Sequence, residues 1–134
     1  MTDRVIFDTN YYVHLILNQN LEELVLIHTR HHVEIFICEK QLQEIMEVLQ
    51  YDKIKPKLKQ PIADYMELIV AVTTLIEIDE RFDRVKDKKD NYLVDLAYTV
   101  KAYYLVSGDR HLTSLKHIGK IQIVSPSYFK SLLK

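Results

Sequence analysis

The chain has little glycine, proline or cysteine, and no strong excess of charge of either sign. Two glycines and three prolines among 134 residues exclude a collagen-like repeat and argue against a disordered chain. With 48% apolar residues, the composition instead suits regular, helix-rich packing of a single domain spanning residues 1–134. One cysteine, Cys38, excludes an internal disulfide and a four-cysteine zinc site. Its position at the end of an apolar run reads as ordinary packing in a reducing compartment. The formal net charge of −1 gives no whole-molecule attraction for a polyanion, so any nucleic-acid binding must rest on local patches or metal ions. No apolar run approaches the roughly 20 residues a membrane helix needs. Met1-Thr2-Asp3-Arg4 leads straight into a strand pattern without a signal-peptide core. The expectation is a soluble, cytoplasmic protein with no membrane contact.

What the chain does have is a repeated ending. Val5-Ile6-Phe7 runs apolar and stops on Asp8, and Tyr104-Leu105-Val106 runs into Ser107-Gly108-Asp109. A short unbroken apolar run suits a strand covered on both faces. Val33 to Ile37 reads as a second strand, Thr74 to Ile78 as a third and Ile121 to Val124 as the last. Helices are predicted over 10–18, 21–31, 39–49, 62–74, from Asp90 or Asn91 to Val100, over 109–117, and from Pro126 onward. Asn20 is placed to cap the second of these, Pro61 to open the fourth and Gly108 to permit a sharp turn. Leu42, Ile45, Met46 and Leu49 fall on one face of the third helix, and Tyr65, Met66, Ile69, Val70 and Thr73 on one face of the fourth. Asp79 to Lys89 is charged and has little to bury, so it reads as a loop. Strands alternating with helices predict a three-layer α/β/α fold with a central, mostly parallel sheet.

Four acids fall where loops of such a fold meet one crevice: Asp8, Glu44, Asp90 and Asp109. Ligands of open parallel sheets bind beyond the carboxyl ends of the strands, where Asp8 and Asp109 stand. Each acid alone has an ordinary reading, as a cap for the three aspartates and as a solvated helix charge for Glu44. Together they repel, since a pair roughly 4 Å apart costs on the order of 4 kcal/mol at an effective dielectric near 20. A cluster of that kind needs either protons or cations, and for cations all-oxygen ligation favours Mg²⁺ or Mn²⁺ over zinc. Such ions activate water and stabilise the leaving oxygen of a phosphodiester. Asp95, on the helix after Asp90, is expected to be supporting or structural, and Asp87 is a local rival.

With these residues assembled, the sequence resembles the PIN domain, a nuclease family that includes VapC-type toxins of toxin–antitoxin pairs. The matching segments are Val5-Ile6-Phe7-Asp8-Thr9-Asn10, Glu39 to Glu44 leading into Val48-Leu49, Asp87-Lys88-Lys89-Asp90-Asn91 leading into Leu96-Ala97, and Tyr104 to Leu112. Ile121 to Pro126 fits the closing strand and helix. The resemblance implies an endoribonuclease dependent on Mg²⁺ or Mn²⁺, with Asp8, Glu44, Asp90 and Asp109 as its acidic metal site. It implies that Asn10 and Ser107 orient those carboxylates by hydrogen bonds. It also implies an RNA substrate, a homodimer or higher oligomer, and an antitoxin protein as partner. Three positions depart from the pattern: Ser107 where threonine is commoner, Cys38 where serine usually caps a helix, and His111 where a second aspartate often follows.

Basic residues are the weaker part of the reading. Arg84, Lys86, Lys88 and Lys89 run beside Asp90, and Arg110 and His111 follow Asp109, so these six are the candidate phosphate contacts. A charge run is also simply a solvated face. His28, His31 and His32 cluster at a helix end, where imidazolium suits the dipole; the tyrosines read mostly as core or edge residues, with Tyr11 and Tyr12 near the Asp8 loop as candidates to stack a base. A haloacid-dehalogenase-like phosphotransferase would want an aspartate at Asn10, and a receiver domain would want an acceptor aspartate after its third strand. Two rivals survive: a PIN-fold module that binds RNA or protein without cutting, and a DNA-directed structure-specific nuclease, which would leave single-stranded RNA untouched while cutting branched DNA.

Overall fold

The computed structural model describes residues 3–78 and 91–133. In chain order the elements are β1 (Asp3–Phe7), α1 (Thr9–Leu17), α2 (Glu23–Arg30), β2 (Val33–Ile37), α3 (Glu39–Leu49), α4 (Ile62–Val72), β3 (Thr74–Leu75), α5 (Asn91–Val100), β4 (Tyr104–Val106), α6 (Arg110–Thr113), β5 (His117–Ile118), β6 (Ile121–Val124) and α7 (Pro126–Leu132). The strands form one sheet in the order β3-β2-β1-β4-β6-β5. Neighbours are parallel except β5 against β6.

The apolar run of β1 is covered on both sides because successive side chains point to opposite faces. Val5 and Phe7 join Tyr12, Leu15 and Ile16 of α1, Leu24 and Ile27 of α2, Ile45 and Leu49 of α3, Tyr65 and Ile69 of α4, and Phe129 of α7. Ile6, between them, joins Leu93, Leu96, Ala97 and Val100 of α5 with Leu112 of α6. Two cores on opposite sides of one sheet make the three-layer α/β/α arrangement that the strand–helix alternation predicts. Phe7 anchors the first core, its ring 4.7 Å from Tyr11 and 5.5 Å from Phe129.

Several local expectations change. The predicted helix over 109–117 ends at Thr113, and His117 and Ile118 turn back onto β6. Gly119 takes a left-handed φ of 59° at that reversal, a conformation glycine adopts without steric cost. Gly108, by contrast, is not among the residues of positive φ. Met46 and Val70 sit on the predicted inner faces yet are 39% and 53% exposed. In α3 the buried line is Gln41, Ile45 and Leu49, a straight i, i+4, i+8 row. Gln41 belongs there because its amide nitrogen donates to the Phe7 carbonyl at 2.7 Å, which offsets part of the cost of burying it, while its Oε1 stays buried without a partner. Asn20 does not cap α2; its amide reaches the Glu23 carboxylate at 3.2 Å. The predicted third strand is shorter, at Thr74–Leu75.

Candidate active site

The chain leaves β1 towards β2 and β3 on one side, while β4, its other neighbour, leads to β6 on the other. The carboxyl ends of β1 and β4 therefore flank the point where the strand order reverses, the place where open α/β sheets bind ligands. Parallel pairing of Phe7 with Val106 brings the residues after each strand together. Asp8 follows one, and Ser107-Gly108-Asp109 follows the other.

Asp8 is buried, at 6% exposure. Its Oδ1 accepts the Tyr11 N–H at 2.8 Å, which caps α1, and its Oδ2 accepts the Ser107 hydroxyl at 2.8 Å. The Ser107 oxygen in turn accepts the Asp109 N–H at 3.0 Å. Asp109 caps α6 through Oδ1, which accepts the His111 N–H at 2.8 Å. Both aspartates are thus ordinary caps and neighbours in one crevice at the same time. Burial pushes the Asp8 carboxyl above the usual carboxylate range, and the Asp109 charge adds to the push. Hydrogen bonds from Ser107, Tyr11 and Gly108 oppose it.

Glu44 lies a turn and a half into α3, half-buried. One of its oxygens, Oε1, accepts hydrogen bonds from the Tyr92 hydroxyl at 2.7 Å and from the Thr9 hydroxyl. Those two hydroxyl oxygens are themselves 3.2 Å apart. Thr9 directly follows Asp8, so Glu44 is tied to the same turn. Burial pushes the Tyr92 phenol above its ordinary value, which keeps it a donor at neutral pH. Lys40 reaches over the Tyr92 ring, with Nζ 5.0 Å from its centroid, a favourable cation–π placement. Neither Thr9 nor Tyr92 stands out in the sequence. The available signals were a threonine beside a strand-end aspartate and a tyrosine two residues past Asp90.

The other predicted residues sort as follows. Asn10 is exposed and, among the described residues, makes no hydrogen bond to either carboxylate; it lines a cavity of about 290 Å³ beside Asp8. Asp95 is buried in α5, and the Thr99 hydroxyl donates to its main-chain carbonyl at 2.8 Å. Arg110 and His111 are exposed on α6. Asp90, its rival Asp87, and Arg84, Lys86, Lys88 and Lys89 lie outside the described residues. Among the described residues no three His, Cys, Asp or Glu side chains stand close enough to hold a metal ion, and no helix is long and apolar enough to cross a membrane.

No curated protein and no solved structure matches the chain. A family model does, that of the PIN domain, over residues 4–111. That span runs from β1 through Asp8, Glu44 and Asp109 into α6, and so includes both strand ends and the helix that carries Glu44. PIN domains are generally nucleases and typically use divalent metal ions. The chain belongs to the PIN domain family.

Proposed function

We propose that the protein is a metal-dependent endoribonuclease that hydrolyses RNA phosphodiester bonds. The observation that supports it best is the pair Asp8 and Asp109, set side by side at the reversal of the sheet and joined through Ser107. The donor set fits a hard cation. All the candidate ligands are carboxylate oxygens, and among the described residues the second oxygens of Glu44 and Asp109 accept no hydrogen bond. Asp8 and Asp109 would start the site, and Glu44, which does not stand close enough to complete a three-acid cluster with them, would have to be drawn in with Asp90 to hold Mg²⁺ or Mn²⁺. When bound, the ion lowers the pKa of its water and stabilises charge on the leaving oxygen.

The chain's own residues do the remaining work. Ser107 fixes Asp8 and, through its accepted N–H, the turn that carries Asp109. Thr9 and Tyr92 hold one oxygen of Glu44, which leaves the other without a hydrogen bond among the described residues. Burial that disfavours the charge on Asp8 makes the site hungry for a cation. Arg110 and His111, with Arg84, Lys86, Lys88 and Lys89, would meet the phosphate backbone, and binding then weakens steeply with salt. The family resemblance extends the proposal to a cytoplasmic toxin restrained by an antitoxin protein and assembled as a homodimer or higher oligomer.

The test is cleavage of labelled single-stranded RNA with Mg²⁺, Mn²⁺ or EDTA, comparing wild type with Asp8→Asn and Asp109→Asn. Metal-dependent cutting that disappears in both variants is expected. RNA retained without cutting by any of the three proteins would turn the reading into a binding module.

A further inference from the structure

A cavity beside Asp8 has neither Glu44 nor Asp109 in its lining. It holds about 290 Å³ and is lined by Asp8, Asn10, Tyr11, His14, Gly108 and Pro126. Its walls are planar or rigid. Asn10, Tyr11 and His14 come from the first turns of α1, where residues one turn apart share a face, and Pro126 opens α7 opposite. Tyr11 is itself held by stacking on Phe7, with ring planes at 29°. The His14 ring is exposed, with its nitrogens 3.2 and 3.3 Å from the Asn18 amide. Gly108 forms open floor, since a Cβ added there would meet no atom within 4 Å. The volume sits at the low end for small-molecule pockets, about 300 Å³ and upward, which suits one ring system. Asn10, free of the carboxylates, presents an amide donor and acceptor at the mouth.

We propose that this cavity receives one nucleobase of the bound strand, the base next to the phosphate held at Asp8, stacked on the exposed His14 ring and read at its edge by Asn10, with Tyr11, only 4% exposed, as the fixed wall behind. The inference rests on the nuclease reading, because it is continuity with Asp8 that makes a nucleic-acid base the occupant. Single-stranded nucleic acid is bound by stacking unpaired bases on aromatic rings and hydrogen-bonding their exposed edges. A site that grips one base beside the scissile bond fixes where the strand is cut as well as how strongly it is held.

The experiment uses a single-stranded RNA carrying one 2-aminopurine, moved position by position along the strand, with Ca²⁺ replacing the catalytic ion so that binding is read without turnover. At one register the fluorescence should fall on binding wild type, and His14→Ala should abolish that fall while binding about tenfold more weakly, the usual scale for one lost base stack. His14 is exposed, so the variant is expected to fold. Gly108→Leu, which fills the floor from open space, gives an independent block and should remove the same signal. Strand bound with no quenching at any register, quenching unchanged in both variants, or no binding at all would each overturn the proposal. Cleavage of the same strand in Mn²⁺, compared with Asp8→Asn, reports separately on the reaction. A base pocket in a protein that does not cut, and a nuclease without a base pocket, are therefore told apart.

Discussion

Of the parallel strands that run directly into a helix, three carry the acids, β1, β2 and β4, and their turns are built differently. After β1 and β4 the cap is an aspartate, Asp8 or Asp109, and each accepts a main-chain N–H of the helix it starts. After β2 the cap position is Cys38, whose side chain makes no capping hydrogen bond, and the acid stands further along, at Glu44. At the aspartate turns a single residue both starts the helix and presents a carboxylate, held by a main-chain N–H and, for Asp8, also by the Ser107 hydroxyl. At the cysteine turn the two tasks are separate. Glu44 is steered instead by hydroxyls from two other elements, Thr9 of α1 and Tyr92 of α5. Each acid of the first kind has one oxygen held by the main chain of the helix it starts; the second is held by side chains alone, which can be removed one at a time.

The contrast is broken most severely at Asp8. Asp8→Asn keeps an oxygen to cap α1 but loses the charge, and cleavage should drop by more than the roughly 10–100-fold expected from losing a supporting contact. Its stability should move the opposite way with pH. In protein stripped of metal, the raised Asp8 value means that stability gained from the neutral carboxyl is complete below the ordinary value of 3.8 and is lost as pH rises through the folded value. The stability of Asp8→Asn relative to wild type should therefore improve with rising pH in urea titrations with EDTA, and added Mn²⁺ should close the gap. A wild type that gains on the variant as pH rises would contradict the account of a desolvated carboxylate.

The Glu44 side is broken more gently. Tyr92→Phe and Thr9→Val each remove one of the two hydrogen bonds on Oε1 and leave the carboxylate in place. Each should weaken Mn²⁺ affinity by about tenfold, at the low end for outer contacts of a metal ligand, with cleavage recovered at high metal concentration. The double variant should lose more than the product of the two, because either hydroxyl alone can still hold the oxygen. Equal losses at saturating metal would show that the hydroxyls act on the strand and not through Glu44.

Much of this arrangement is legible in the sequence. Strands are short, apolar and β-branched, and they end on polar residues, so β1, β2 and β6 and the layer order follow from local pattern. Asp8 and Asp109 are legible for the same reason, since a carboxylate after such a run has few places to go. Periodicity fails where tertiary contacts choose the buried side. A helical stripe cannot show that Gln41 is drawn inward by the Phe7 carbonyl while Met46 is left at the surface. Nor can it pair Thr9 and Tyr92, 83 residues apart, on one oxygen of Glu44. The β5 reversal is hidden by its length, two residues with a glycine, too short for any periodic signal. Asn10 looks like a partner for the acids because it is close in sequence, but the direction of a side chain on the first turn of α1 aims it into the neighbouring cavity.

The smallest expected effect sharpens the comparison from the other end. Cys38 already has the backbone of a cap, with φ −121° and ψ 165°, and burial pushes its thiol above the ordinary value, so the side chain is an uncharged thiol and a weak acceptor. A serine hydroxyl of nearly the same shape would accept a main-chain N–H of the first turn of α3, a bond worth about 1 kcal/mol at such positions. Exchanging buried sulfur for oxygen returns part of that gain, since Cys38 is only 3% exposed and packs with Ile6 and Phe36. Cys38→Ser should therefore stabilise by a few tenths of a kcal/mol to about 1 kcal/mol, a rise in Tm of roughly 1–4 °C for a chain of this size. Thermal denaturation in EDTA measures it without interference from the metal. A fall in Tm would mean that the sulfur's packing against the second core outweighs the missing cap, and that the β2 turn differs from its neighbours because α5 needs an apolar atom there.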